Sequence, residues 1–320
     1  VMVWIHGGGN SFGHAGNYDA SRLVTSQQVV VVTIQYRLGH LGWFAHPALA
    51  TGDPLHDSGN FAVLDMIRAL QWTQENIANF GGDPNNVTAF GESAGASDVV
   101  ALVASPLAAD LFHRAIVQSG GFGFYPMDEA EASARAIVNQ LLVVDGRATD
   151  AKTASVVQDE MSVEETRDYL YDKSATELIA LFQAAAIGTI AVPELFADGH
   201  VLPIGSAQEV FGDPNRHNRV PIILGTNRDE TSVFMYADPT FIEYAESGER
   251  IGIKDEGVYS RRVHYGSLDW REGGVDGLAI PLAEGGSQQV YAYRFDWDEA
   301  GIVDGFDLTK ALGASHAVEM

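Results

Sequence analysis

Gly91-Glu92-Ser93-Ala94-Gly95 sets a serine between two glycines, directly after the apolar run Val87-Thr88-Ala89-Phe90 and directly before the helix-compatible run Ala96 to Ala104. A strand-to-helix reversal this tight leaves no room for a Cβ two residues before or after the serine. It lifts the hydroxyl out of a sheet edge and aims the positive end of the next helix at the place where negative charge would develop. The chemistry this suits is attack of a serine oxygen on a carbonyl. Such attack needs donors for the oxyanion, and His6-Gly7-Gly8-Gly9 at the end of the first apolar run supplies bare backbone N–H groups. The candidates are therefore Ser93 as nucleophile and backbone N–H groups of the Gly7-Gly8-Gly9 run as oxyanion donors. The alternatives are an ordinary turn with a surface serine and a flexible glycine loop. A phosphate cradle is disfavoured because neither G-x-x-x-x-G-K-[ST] nor G-x-G-x-x-G follows. His6 reads as a packing residue that holds the glycine loop. Asp53, His56 and Asp57 have the residue types of a metal site but read as a solvated loop. The chain has no cysteine, so disulfides and thiol-bound metals do not arise in it, and no metal or organic cofactor is called for.

These residues need elements to hold them. Val1 to Ile5, Val29 to Ile34, Val87 to Phe90, Ala115 to Val117, Ile222 to Leu224 and Val290 to Phe295 are short apolar runs that read as strands, most of them buried. From Phe61, Leu64, Ile67 and Leu70 recur at helical spacing, with Asp57, Ser58 and Asn60 available as caps and Gly81-Gly82 as the stop. Strand and helix alternate, which predicts a parallel α/β sheet in one domain over residues 1–320. Residues 128–187 turn helical and acidic; they read either as a solvated outer layer or as a cap over the substrate pocket. A net charge of -24 sets the surface against nucleic acid and anionic lipid head groups. No apolar run reaches membrane-spanning length, so a soluble chain is expected. The opening Val1-Met2-Val3-Trp4-Ile5 carries no initiator, charged segment or cleavage site, which suggests that the true N-terminus, with any leader, is absent.

Taken together, the blocks resemble the type-B carboxylesterase family, which includes cholinesterases and bacterial para-nitrobenzyl esterases. The resemblance rests on Trp4-Ile5-His6-Gly7-Gly8-Gly9, Tyr36-Arg37-Leu38-Gly39, Gly59-Asn60-Phe61 with Leu64-Asp65, Phe80-Gly81-Gly82-Asp83-Pro84-Asn85-Asn86-Val87-Thr88, the serine turn itself, and Gln118-Ser119-Gly120. It is nearly continuous to about residue 120 and resumes at 193–236 and 288–319. It implies the α/β-hydrolase fold, with a mostly parallel central sheet and helices on both faces, here incomplete at both ends. It also implies the chain order serine, acid, histidine. The family's acid loop falls on Gly225-Thr226-Asn227-Arg228-Asp229-Glu230, with Glu230 at the acid position and Asp229 as its rival. The catalytic histidine falls on His316, within Gly313-Ala314-Ser315-His316; His200, His217 and His264 have no equivalent frame. Glu92 and Ser119 match residues that tune the triad, and an acid beside a nucleophile is also an ordinary turn residue.

The implied activity is hydrolysis of small-molecule carboxylic esters, of short to medium acyl chain, through a covalent acyl-enzyme, with the oxyanion held by the N–H groups of Gly8, Gly9 and Ala94. A catalytically inactive adhesion or binding module is the competing reading, and a lipase or peptidase on the same fold is a third. Trp43, Phe44, Phe122, Phe124, Tyr125, Phe234 and Tyr236 are aromatic candidates for pocket or core.

Overall fold

The computed structural model describes residues 1–181 and 194–320. Six strands form the central sheet: β1 (Met2–Ile5), β2 (Val31–Thr33), β3 (Thr88–Glu92), β4 (Arg114–Gln118), β5 (Ile222–Asn227) and β6 (Val290–Phe295), in the spatial order β6-β5-β4-β3-β1-β2. Every neighbouring pair is parallel, with Trp4 opposite Phe90, Gly91 opposite Val117 and Val117 opposite Leu224 across the middle of the sheet. That register brings Ile5, Glu92, Gln118 and Asn227, each at the C-terminal end of its strand, to one edge. Ligand sites on open α/β sheets form at that edge.

All six strands lie where the apolar runs place them, but their burial is uneven. Val3, Ile5, Ala89, Val117 and Leu224 in the inner strands are buried, whereas β2 and β6 are half-exposed, with Tyr291 58% exposed. The apolar run Val290–Phe295 had suggested a covered strand. It is an edge of the six-stranded sheet and mixes exposed with half-buried residues.

Helix α1 (Phe61–Asn76) buries Ala62, Val63, Met66, Ile67 and Leu70 against the sheet, and α2 (Ala94–Ala104) starts at the serine and is buried along almost its whole length. Gly81, at a φ of 80°, takes the left-handed conformation that stops the segment after α1. The expected side-chain cap on α1 does not form. Asn60 occupies the cap position, but its amide faces the other way, donating to the Phe196 carbonyl at 2.8 Å and accepting from the Phe196 N–H at 2.8 Å. The long-range bonds pair both backbone groups of the buried Phe196, which a local cap would leave to other partners.

The helical excursion is present as α3 (Met127–Val144), α4 (Ala151–Glu160), α5 (Val163–Tyr171) and α6 (Ala175–Ile179), three of which open on capping boxes: Asp150 with Thr153, Ser162 with Glu165, and Ser174 with Glu177. Residues 182–187 of the expected excursion lie outside the described residues. Ile137, Val138, Leu141, Leu142, Ala154, Tyr169 and Leu170 give it a small core of its own. Its two flanks are tied together by parallel pairing of Tyr125–Pro126 with Phe196–Ala197.

Candidate active site

Ser93 stands between β3 and α2 with φ 60° and ψ −128°, a conformation a non-glycine residue holds only when its surroundings enforce it. Here they do. A Cβ on Gly91 would strike the Gly95 carbonyl, and one on Gly95 would strike the carbonyls of Ile5 and His6. Ser93 N–H donates to the Gln118 carbonyl at 2.9 Å, which fixes the turn to β4.

Beside it, Gly8, Gly9 and Asn10 have φ values of 112°, 55° and 50°, a run of left-handed residues that curls the loop after β1. The Gly8 carbonyl accepts from the N–H groups of Ser11 and Phe12 at 3.1 Å each. Among the described residues the N–H groups of Gly8 and Gly9 have no acceptor, and that of Ala94 opens α2, where no intrahelical acceptor exists. His6 underlies the loop: it is fully buried, its ring stacks on Tyr36 at 4.6 Å, and Nδ1 lies 2.8 Å from the Gly7 carbonyl. The packing role expected for it is the one it has.

The acid loop after β5 and the histidine loop near the chain's end meet at this edge. Glu230 is fully buried; Oε1 accepts from Asn227 N–H at 2.7 Å and Thr226 Oγ1 at 2.9 Å, while Oε2 lies 2.7 Å from His316 Nδ1. Asn227 also donates to the Ser315 carbonyl at 2.7 Å and to Glu319, so one amide couples the two loops. Asp229, the rival acid, does other work. It accepts from Ala314 N–H at 3.0 Å and pairs with Arg228 at 2.7 Å. His264 packs on Tyr265, and His217 Nδ1 faces the carbonyls of Val210 and Asp213. His200 is exposed in a turn.

His316 Nε2 lies 3.1 Å from Glu92 Oε1, at ion-pair distance but without hydrogen-bond geometry, and no hydrogen bond to Ser93 is present among the described residues. Burial pushes the Glu92 carboxyl up to about 7 against the pull of His316, with Glu319 and Glu230 adding to the rise. For His316, burial lowers the proton affinity, but the Glu230 hydrogen bond and the charges of Glu92, Glu230 and Glu319 outweigh it, so the ring titrates above its ordinary value. Ser119, at φ 57°, is buried beside this group with its hydroxyl unpartnered, and its N–H donates to Gly225 at 2.8 Å.

A cavity of about 620 Å3 opens over Ser93, walled by Ser119, Phe122, Glu194, Phe234 and Trp270. Of the aromatic candidates, Phe122 and Phe234 line it. Phe124 packs on Phe122 at 4.4 Å, Trp43 is core, Phe44 lines a separate small cavity, Tyr125 is exposed, and Tyr236 lies under Arg250. None of the described residues of the excursion lines the cavity over Ser93. Sequence reasoning missed Trp270. It sits at the end of α7 (Glu256–Arg271), donates its indole N–H to the Ser119 carbonyl at 3.0 Å, and packs at 4.8 Å from the His316 ring and 5.7 Å from Phe234. No motif marks that tryptophan, which reaches the site through the helix's orientation alone. Asp53, His56 and Asp57 shape a local turn: Asp53 caps a short helix, and Asp57 accepts the N–H groups of Thr51 and Gly52.

A parallel sheet whose third strand ends in a glycine-flanked serine turn, with acid and histidine loops after later strands, is the α/β-hydrolase fold. The carboxylesterase family model matches residues 1–261. Carboxylesterase 1D of Rattus norvegicus is 41% identical over 258 residues, 79% of this chain and 42% of that one; carboxylesterase 1C of Mus musculus is 41% identical over 264 residues, 82% of this chain and 43% of that one. Among solved structures, a PNB esterase superposes with a TM-score of 0.71 at 26% identity, covering 99% of this chain and 65% of that one. A Geobacillus stearothermophilus carboxylesterase gives 0.66 at 28% identity, covering 92% and 62%. The chain belongs to the carboxylesterase family, of type B as its motifs indicated. It spans less than half the length of the curated relatives it matches. No described helix is long and apolar enough to cross a membrane.

Proposed function

We propose that this chain carries the active site of a serine carboxylesterase acting on short to medium acyl esters, in a single α/β-hydrolase domain. The observation that carries the reading is the buried Glu230–His316 hydrogen bond at 2.7 Å, formed by two loops far apart in the chain at the sheet edge where Ser93 stands. Glu230 holds the imidazole so that Nε2 is the basic nitrogen. His316 takes the Ser93 proton as Oγ attacks the ester carbonyl, and the oxyanion settles on the N–H groups of Gly8, Gly9 and Ala94. The imidazolium returns the proton to the leaving alcohol, and water reverses the sequence to release the acid. No cofactor takes part in these steps.

In the resting arrangement Nε2 lies 3.1 Å from Glu92 Oε1, so Ser93 must take that nitrogen from Glu92 for reaction. Glu92 thus acts as an auxiliary group that competes for the base, and Ser119 as one that anchors the cavity wall through Trp270. The acyl-size assignment rests on a cavity with room for a medium ester but with Phe122, Phe234 and Trp270 closing its wall.

The test is hydrolysis of para-nitrophenyl esters from acetate to palmitate by the wild type and by Ser93→Ala. Turnover greatest on the shorter esters and abolished in the variant is the expected result. A folded protein inactive on every ester leaves the non-catalytic binding module as the reading to pursue, and label from an organophosphate then fails to appear on Ser93.

A further inference from the structure

Directly beneath the Gly8–Gly9 loop lies a second acidic group that the mechanism above does not use. Asp98, one turn along α2 from Ser93, is fully buried, and its Oδ1 accepts from Asn10 Nδ2 at 3.4 Å. Glu194, at the wall of the cavity, also bonds to the Asn10 side chain. The other oxygen of each carboxyl, Asp98 Oδ2 and Glu194 Oε1, is buried with no hydrogen-bond partner among the described residues. Tyr36 closes the group, sharing its hydroxyl hydrogen between the His6 carbonyl at 2.6 Å and Asn10 Oδ1 at 3.2 Å. The groups facing the two carboxyls are Asn10, Tyr36 and each other, and no cation is among those acting on either.

Resting on the esterase reading, we infer that Asp98 and Glu194 are positioning residues for the oxyanion hole: holding at least one proton between them, they clamp the Asn10 amide and thereby fix the N–H groups of Gly8 and Gly9. Two largely desolvated carboxylates with no cation beside them repel each other, and desolvation with this repulsion outweighs the Asn10 and Tyr36 hydrogen bonds that favour ionisation; a proton on one relieves the repulsion. Burial accordingly pushes both carboxyls up to about 8. Asn10 is the residue through which the clamp reaches the chemistry. It follows Gly9 directly, has φ 50°, and its carbonyl accepts from Gly39 N–H at 2.7 Å, so its side chain and its backbone are both tethered. Ionisation strengthens each Asn10 hydrogen bond, but when both carboxyls ionise their mutual repulsion spreads the pair, and the amide and the loop donors move with it. Donors aimed at the oxyanion act in the transition state, so the loss falls on kcat and leaves KM.

The experiment is the pH profile of kcat and KM on para-nitrophenyl acetate or butyrate for the wild type, Asp98→Asn, Glu194→Gln and Asp98→Leu, with circular dichroism at each pH. The expected wild-type kcat falls on the alkaline side with an apparent pKa near 8 at constant KM. In Asp98→Asn and Glu194→Gln that fall moves up by at least one pH unit. Asp98→Leu, which cannot hold Asn10, loses at least tenfold in kcat at pH 7, and Asp98→Asn restores it. An active, folded wild type whose alkaline limb is the same in both amide variants, or a limb that appears in KM rather than kcat, overturns the proposal and leaves the esterase reading standing. A wild type inactive on every ester overturns both.

Discussion

The two halves of the catalytic edge are built differently. On the Ser93 side, the functional groups are set by backbone: the turn's φ of 60°, the left-handed run Gly8-Gly9-Asn10, and main-chain carbonyls, those of Ile5 and His6 among them, packed so closely that no Cβ fits at Gly91 or Gly95. On the His316 side, Glu230 is held locally by Asn227 N–H and Thr226 Oγ1, but its pairing with the base is not local. Glu230 and His316 lie 86 residues apart and are brought together by Asn227, Asp229 and Ala314, while the adjoining strand β6 is a half-exposed edge. A site that needs an unusual backbone must write it in glycines, whereas a site that needs two side chains in register can recruit them from wherever the fold delivers them.

The sharpest test of that contrast is steric. Gly95→Ala puts a Cβ into the carbonyls of Ile5 and His6, and we expect a loss of about 3 kcal/mol or more in stability, with esterase activity falling by orders of magnitude. Gly123→Ala, where nothing lies within 4 Å, is the control and stays near wild type. Thermal melts and kcat for the two variants decide it; a folded, fully active Gly95→Ala would mean the turn is not held by contact at all.

On the histidine side the test is which carboxyl orients the base. Glu230→Gln leaves shape but no longer holds the imidazole's proton on Nδ1, and kcat is expected to drop by about 10^3 to 10^4. Asp229→Asn weakens the Arg228 pair and the bond to Ala314, so the melting temperature falls while kcat changes by less than about tenfold. The opposite ranking moves the acid role to Asp229.

These contrasts explain what could be read from the residues alone. The sheet, the serine turn, the oxyanion glycines and the family were legible because each rests on local pattern: apolar runs, and glycines where φ is positive or where no Cβ fits. Glu230 and His316 were placed by resemblance, with Asp229 left open, because two adjacent carboxylates differ only in where a distant loop meets them. Asn60 misled for the same reason, since its local role as a cap lost to a strand 136 residues away. Trp270, Asp98 and Glu194 carry no motif; a buried carboxyl in α2 reads in sequence as one polar residue in an apolar helix, and its partners appear only in three dimensions.

A pH measurement sharpens the comparison further, because Glu92 belongs to the serine turn yet acts on the histidine. The base must be neutral to accept a proton, and His316 titrates above 6.5, so kcat/KM is expected to rise with pH through a value above 6.5. Glu92→Gln removes one of the carboxylates that raises it; the acid limb moves down, and activity at pH 6 relative to pH 8 increases about threefold. Stability carries the complementary sign. A buried carboxyl whose folded proton affinity is raised costs stability as pH climbs from its unfolded value through about 7, so Glu92→Gln melts higher than wild type at pH 8 and loses that advantage near pH 4. An unmoved limb would separate Glu92 from the base.

Trp270 is where the two sides touch. Its indole N–H holds the Ser119 carbonyl from the serine side, and its ring packs on His316 and Phe234 from the other. Trp270→Phe keeps much of the ring contact and loses the hydrogen bond, a loss of about 1 kcal/mol that should appear as a change in KM of no more than about fivefold. Trp270→Ala also removes the wall over the imidazole, so kcat should fall together with a larger rise in KM. Equal kinetics for the two variants would show that the hydrogen bond to Ser119, and not the ring, is what joins the locally built half of the site to the half assembled at long range.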